Sequence, residues 1–315
     1  MKFVLAPLAG FTDAPFRRLC RDGGADLAYT EMVSAAAIAH GHAATRQLLE
    51  TLPGEGPLAC QIFGANESDI ACAAKFVSSL PVPWAALDLN AGCPMQKVTR
   101  AGAGAKLVED PEKIYRLLVA MAENTALPVT LKTRLGPHPQ RTNIFEILDA
   151  AERAGAKGLT VHARYTSQLH GGETHLDTLA EVVRRAKIPV TGNGSVKDAA
   201  SAAAMAATGV AGLMIGRAAL ANPYIFAELK GEPVGRTKDE MFRAHLGYIL
   251  SYRPELAVLK LRTHLFRYFS GRPGAAALRA RINNVKSLDE LAAWTGQIPL
   301  DAPDGDMIQY KSPIP

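Results

Sequence analysis

The stretch Leu87-Asp88-Leu89-Asn90-Ala91-Gly92-Cys93-Pro94 joins an apolar run to a thiol on a turn. The run 84–90 is short, apolar and bounded by chain breakers, as a buried strand is. Gly92 ends it, and Pro94, which has no N–H, continues neither a ladder nor a helix. Cys93 therefore stands just past the C-terminal end of a strand, the edge where reacting groups collect in parallel α/β proteins. A thiol there serves as a nucleophile, a proton donor or a small buried hydrophobe, and the residue alone does not choose. Its neighbours favour chemistry: Asn90 both donates and accepts, and Gly92 admits a ligand close to the backbone.

Other strand-like runs end on the same kind of groups. The runs 3–8, 26–32, 57–63, 84–90, 128–132, 158–162, 189–192 and 212–215 read as strands. At or just past their ends lie Pro7-Leu8-Ala9, Glu31, Gln61, Asn90 with Cys93, Lys132 with Arg134, His162 with Arg164, Asn193-Gly194-Ser195 and Gly216-Arg217. Brought to one edge, these make a polar, donor-rich mouth on an apolar cylinder. The last two are Gly-rich turns after strands seven and eight, the usual phosphate site of a (β/α)8 barrel, where backbone N–H groups face the anion. Arg217 adds a bidentate partner. A phosphate beside a wide polar mouth implies a phosphorylated cofactor lying across the barrel. Gln61 is suited to read an amide edge of its ring. Lys132 is suited to hold negative charge developing on it, as a reduced flavin requires.

The elements that must position these residues alternate. Helical patterns at 13–22, 35–50, 67–80, 111–125, 142–154, 175–187, 197–207 and 218–229 separate the strands. Asp13-Ala14-Pro15 and Asp110-Pro111-Glu112 are helix starts, a capping carboxylate followed by proline in the first turn. Eight strand–helix units of about 25 residues predict a closed TIM barrel over 1–235 rather than an open sheet. No Gly-x-Gly-x-x-Gly follows the first strand, which argues against a dinucleotide-binding domain. The Gly-rich run Ala101 to Leu107 lacks the spacing of a phosphate loop.

Beyond Lys230 the alternation stops, and the spacing predicts an all-helical domain over 236–315, after a linker at 231–235. Val258, Leu261, Leu265 and Tyr268 form an apolar stripe, and Lys260, His264 and Arg267 a basic one. A second helix carries Leu278, Ile282 and Val285 with Arg279, Arg281 and Lys286 exposed, a third runs over 288–295, and the Pro- and Asp-rich tail beyond Pro299 reads as irregular. The chain's net charge is only +5. Between Met241 and Lys286, however, nine basic residues (Arg243, Arg253, Lys260, Arg262, Arg267, Arg272, Arg279, Arg281 and Lys286) face one acid, Glu255. Such a segment points to a polyanionic partner. The four cysteines form no Cys-x-x-Cys pair, so no zinc site and no disulfide framework are expected. No apolar run reaches the roughly 20 residues of a membrane span. The expectation is a cytoplasmic, metal-free monomer without a membrane partner.

Taken in order, the motifs resemble those of the tRNA-dihydrouridine synthase family. The matching pieces are Ala6-Pro7-Leu8-Ala9-Gly10 with Thr12, Asp13, Pro15, Phe16 and Arg17, then Thr30-Glu31-Met32, Gln61-Ile62-Phe63-Gly64 and Asp88 to Pro94. Leu131 to Gly136, Val161 to Arg164, Asn193-Gly194-Ser195 and Met214 to Arg217 follow. Leu8, Ala91 and Ser195 depart from the residues common there. The resemblance implies an FMN enzyme that reduces the 5,6 double bond of a tRNA uridine with NADPH. It further implies Cys93 as general acid, Asn90 positioning the base, His162 and Arg164 contacting flavin or RNA, and Lys132 steadying the reduced flavin. Pro7, Leu8, Ala9, Gln61, Lys132, His162, Asn193, Gly194, Ser195, Gly216 and Arg217 would hold the cofactor. Asn90, Arg134, Arg164, Lys260, His264, Arg267 and Arg279 would meet the RNA, whose target base must be turned out of its stack. Two other readings compete: an FMN barrel acting on a free pyrimidine or small enone, which needs no basic helices, and a tRNA-binding protein without catalysis.

Overall fold

The computed structural model describes residues 1–271 and 273–295. Eight parallel strands, β1 (Lys2–Leu5), β2 (Leu27–Ser34), β3 (Leu58–Phe63), β4 (Trp84–Ala91), β5 (Val129–Arg134), β6 (Leu159–His162), β7 (Val190–Asn193) and β8 (Gly212–Ile215), close into a barrel in sequence order. Closure pairs Leu5 of β1 with Ile215 of β8. This is the expected TIM barrel. The connecting helices are α1 (Ala14–Asp22), α2 (Ala35–Ala39), α3 (Ala43–Arg46), α4 (Glu67–Ser79), α5 (Gln96–Thr99), α6 (Pro111–Ala122), α7 (Ile144–Arg153), α8 (Leu176–Arg185), α9 (Ala199–Ala206) and α10 (Ile225–Lys230). After them come α11 (Lys238–Tyr252), α12 (Ala257–Thr263), α13 (Ala275–Asn284) and α14 (Leu288–Thr295). Asp13 Oδ1 accepts from Phe16 N and Asp110 Oδ1 from Lys113 N, so both expected caps form. Arg272 and the tail beyond Pro299 lie outside the described residues.

Strand alternation sorts the core into two shells. Leu87 and Leu89 of β4, with Leu131, Leu159, Val161 and Ile215, face the surrounding helices. Val4, Tyr29, Ala59, Ala86 and Met214 fill the axis. Above that plug the inward residues turn polar. Gln61, Asp88 and Thr130 stand side by side in register across β3, β4 and β5. One step nearer the C-terminal edge, Asn90 faces Lys132, and Arg134, His162 and Asn193 follow across β5, β6 and β7.

Three expected helices are interrupted. The pattern at 35–50 breaks at Gly41, which adopts φ +72°, into α2, α3 and a 3-10 turn. The pattern at 218–229 splits into a 3-10 turn, Arg217–Leu220, and α10, with Pro223 between them. The apolar stripe of Val258 and its partners is not one helix: α12 ends at Thr263, His264 leaves helical geometry, and a 3-10 turn spans Leu265–Phe269.

That last break places two residues differently from the expected basic stripe. His264 is fully buried, its ring edge-on to Phe16 with centroids 4.5 Å apart and its Nε2 3.2 Å from the Leu220 carbonyl oxygen. Lys260 is buried too, paired with Asp13 at 2.6 Å and donating to Gly10 O at 2.9 Å. Neither is displayed to solvent; both join the C-terminal helices to the β1–α1 turn. Their acidic and carbonyl partners lie some 250 residues upstream or on another loop, so helical spacing alone could not reveal them. Further along the junction, Arg253 binds both carboxylate oxygens of Glu50 at 3.0 Å, and Arg17, itself buried, pairs with Glu55. Leu19 and Tyr224 of the barrel share one apolar cluster with Phe242, Leu246, Leu261, Leu265 and Tyr268.

Candidate active site

A cavity of about 770 Å³ opens at the C-terminal edge of the strands, within the roughly 300–1,000 Å³ usual for small-molecule sites. Its wall gathers Pro7, Leu8 and Ala9 after β1, Asn90 of β4 with Cys93 just past it, Lys132 and Arg134 of β5, and His162 of β6 with Arg164 just past it. Asn193, Gly194, Ser195, Gly216 and Arg217 complete it. Arg267 alone among the described residues beyond 235 reaches this wall, its guanidinium 5.2 Å from the Phe11 ring centroid.

The Cys93 turn is held from two sides. Asn90 Oδ1 accepts from Gly92 N at 3.1 Å and from Cys93 N at 2.9 Å, the Asx geometry that folds a short turn. Arg134 Nε donates to Gly92 O at 2.7 Å and Nη1 to Tyr165 O at 3.2 Å. Burial pushes the Cys93 thiol up, against a smaller downward pull from Met95 N–H, Arg134 and Lys132. The thiol thus keeps its proton at neutral pH. The amide of Asn90 is less free than expected: Nδ2 donates to Gln61 Oε1 at 2.8 Å and lies 3.6 Å from Met32 Sδ.

Cations dominate the rest. Burial and neighbouring Arg134 pull Lys132 down to about 8, while its Nζ donates to Asn193 Oδ1 at 3.1 Å. Burial, opposed by Cys93, lowers Arg134 to about 10. Arg164 donates to Gly172 O and to Ser195 Oγ, both at 2.7 Å, and its Nη1 sits 3.3 Å from His162 Nε2. Burial and the surrounding cations drive His162 far below its ordinary value, so it is neutral and presents Nε2 as an acceptor. Arg217 is exposed and donates to His170 O at 3.1 Å. Among the described residues no carboxylate lines this cavity. Several cations without acidic partners in a half-enclosed space call for an anionic ligand.

The turns after β7 and β8 fit a phosphate. The N–H groups of Gly194, Ser195 and Gly216 donate to no backbone carbonyl among the described residues. Gly194 has φ +123°, and a Cβ there would lie 2.9 Å from His162 Cδ2. The donor set and the volume therefore suit a phosphorylated flavin.

Of the residues expected in the site, Gln61, Lys260, His264 and Arg279 are not in the wall. Gln61 is fully buried behind Asn90, its amide bonded to Asp88 at one end and Asn90 at the other, and it does not reach the cavity wall. Arg279 is exposed on α13, 4.2 Å from the Phe266 ring centroid. Conversely His170, Met32 and Met95 line the wall without a role expected of them, and Asp88 lies buried just behind it. Asp88 was legible, since it lies two residues before Asn90 on the same strand face; His170 sits on a loop with no periodic signal.

The family model described as Dihydrouridine synthase (Dus) matches residues 4–300. The chain belongs to the dihydrouridine synthase family. The chain is similar to tRNA-dihydrouridine synthase B of Pseudomonas putida, 35% identical over 293 residues that cover 89% of this chain and 86% of that protein. It is 33% identical to tRNA-dihydrouridine synthase B of Pseudomonas aeruginosa over 94% of this chain and 92% of that one. A probable tRNA-dihydrouridine synthase of Treponema pallidum is 36% identical over 71% and 69%. In this dihydrouridine synthase family member most of the expected motifs reach the cavity; the Gln61 segment lies just behind it, and Asp13, Phe16 and Arg17 serve the junction with the C-terminal helices.

Proposed function

We propose that the protein reduces the 5,6 double bond of a uridine in tRNA to dihydrouridine, using FMN in the barrel cavity and NADPH as reductant. Family membership supports the reaction. The single observation that carries the mechanism is the Cys93 thiol, fixed on a strand-end turn in a cavity lined by Lys132, Arg134, Arg164 and Arg217 and, among the described residues, by no carboxylate. The flavin, when bound, supplies a hydride to one carbon of the double bond. The other carbon then needs a proton, and Cys93 Sγ–H is the donor in reach of the cavity. Lys132, cationic below about pH 8, holds negative charge at the centre of the site. Gly194, Ser195 and Gly216 offer their N–H groups to the cofactor phosphate, with Arg217 and Arg164 at its edge. Neutral His162 and the Arg164 guanidinium line the side where the uracil carbonyls would enter. Arg267 and the exposed Arg279 and Arg281 meet tRNA phosphates.

The test separates two half-reactions. Purified protein should be yellow and release FMN on denaturation. In Cys93→Ala, NADPH should still bleach the flavin, while oxidation of the reduced protein by tRNA slows about 10²–10⁴-fold, the range for a positioned general acid. A colourless protein, or tRNA oxidising the variant at the wild-type rate, would sink this reading. Comparable activity on free uracil would replace tRNA by a small pyrimidine.

A further inference from the structure

Behind the cavity wall runs a chain of hydrogen bonds whose direction is set at both ends. Thr130 Oγ1 donates to Asp88 Oδ1 at 2.6 Å, and Gln61 Nε2 donates to Asp88 Oδ2 at 2.8 Å. Asn90 Nδ2 donates to Gln61 Oε1 at 2.8 Å, and Asn90 Oδ1 accepts from the N–H groups of Gly92 and Cys93. Gln61 and Asp88 are fully buried and Asn90 nearly so. An ionised carboxylate only accepts, and backbone N–H only donates. Between those two fixed ends each amide has one orientation that satisfies both its neighbours. The chain is therefore polarised, and reversing one amide would set donor against donor at the Cys93 turn.

Burial by itself disfavours a carboxylate here, and it pushes Asp88 up to about 6, against hydrogen bonds from Thr130 and Gln61 and the charge of Lys132. A neutral Asn of the same shape would avoid that cost. It would also lose the direction, because Asn can meet Gln61 with either its oxygen or its NH2.

We propose that Asp88 is a positioning residue for the reaction: its carboxylate orients Gln61 and through it Asn90, so that the turn bearing Cys93 is held by the Asn90 oxygen. The proposal rests on the function assigned above only for its effect on turnover. A mispositioned donor costs rate steeply, about 10²-fold for a displacement near 1 Å.

A charge swap tests it. In Asp88→Asn the chain can reverse, and in the reversed chain the backbone amide of Cys93 loses its acceptor. In the double variant Asp88→Asn/Gln61→Glu, the carboxylate moves to position 61 and accepts from both sides. The amide introduced at position 88 then donates its NH2 to that carboxylate and accepts from Thr130. Asn90 again donates to position 61, and its oxygen returns to the turn. The readout is the Cys93 backbone amide by 15N-edited NMR on the flavin-loaded protein, its shift and its solvent exchange. Asp88→Asn should speed that exchange at least about 10-fold, and the double variant should restore both shift and exchange. In parallel, tRNA-dependent oxidation of the reduced protein should slow about 10–10²-fold in the single variant and recover in the double. An unchanged Cys93 amide in Asp88→Asn overturns the proposal, as does a double variant that folds without recovering it or does not fold. If Asp88→Asn alone fails to fold, the double variant still decides. Wild-type protein that forms no dihydrouridine would overturn the functional reading, while the amide exchange would still judge Asp88.

Discussion

Lys132 and Asp88 titrate on either side of neutrality near Cys93, and they bound the pH range in which the site is poised. Burial raises the thiol above its ordinary value, so the proton to be delivered is present throughout the neutral range. Lys132 is the weaker link: lowered to about 8, it is cationic below that pH and neutral above it. The rate of tRNA-dependent oxidation should therefore fall as pH rises through about 8, before the thiol itself ionises. On the acid side, Asp88 near 6 must be ionised to direct the amide chain, so the rate should also decline below that value. Lys132→Arg tests the alkaline limb, because a guanidinium stays charged well above about pH 8. Its plateau should extend upward, measured as single-turnover rate against pH. A limb that stays where it was would assign it to a different group.

At the level of elements, the C-terminal basic residues divide into two groups with different work. Arg253 and Lys260 are committed to Glu50 and Asp13 of the barrel side, and Arg262 donates to Val285 O. Arg279, Arg281 and Lys286 are exposed. Replacing Arg279 and Arg281 with Ala should lower tRNA affinity and reduce the slope of log Kd against log salt by about 1.8, as two lost phosphate contacts do on a duplex. Filter binding at several salt concentrations measures it, and an unchanged slope would move the RNA to Arg267 and the barrel rim. The difference between these groups shows what a sequence can carry. Strand positions were legible because short apolar runs between Gly and Pro have few other solutions, and their ends fell within three residues of those observed. The cavity set was legible because the fold brings every C-terminal strand end to one rim. The burial of His264 was not legible, since Lys260, His264 and Arg267 have the spacing of a basic helix face whatever they touch. The depth of Gln61 was not legible for a related reason: its partner Asp88 is fixed by barrel register, which places the amide one row below the cavity wall.

Across the whole molecule, the junction between barrel and helices is built on neutral histidines. His245 and His264 are both buried with ring centroids 4.8 Å apart, and His245 Nδ1 lies 2.9 Å from Tyr268 Oη. Burial lowers His245 to about 3 and His264 well below its ordinary value. The unfolded chain binds protons at these rings from about pH 6.5 downward while the folded protein does not, so stability present above that pH is lost as pH falls. The slope is about 1.4 kcal/mol per pH unit for each ring below about pH 6. His264→Gln should flatten the acid side of a plot of Tm against pH, even where it lowers Tm at neutral pH; an unaltered slope would place the acid sensitivity in other groups. The same junction carries a consequence for how the protein comes into being. The turn Pro7 to Gly10, one wall of the cavity, takes a hydrogen bond at Gly10 from Lys260, and Asp13 just beyond it takes its countercharge from the same side chain. During synthesis the first strand emerges long before residue 260 exists, and the ribosome's exit tunnel delays that residue further. All eight strands can be paired while this wall still lacks its bond to Lys260. A nascent barrel is thus complete in outline before its pocket is, and a helix made after the eighth strand finishes a surface begun beside the first.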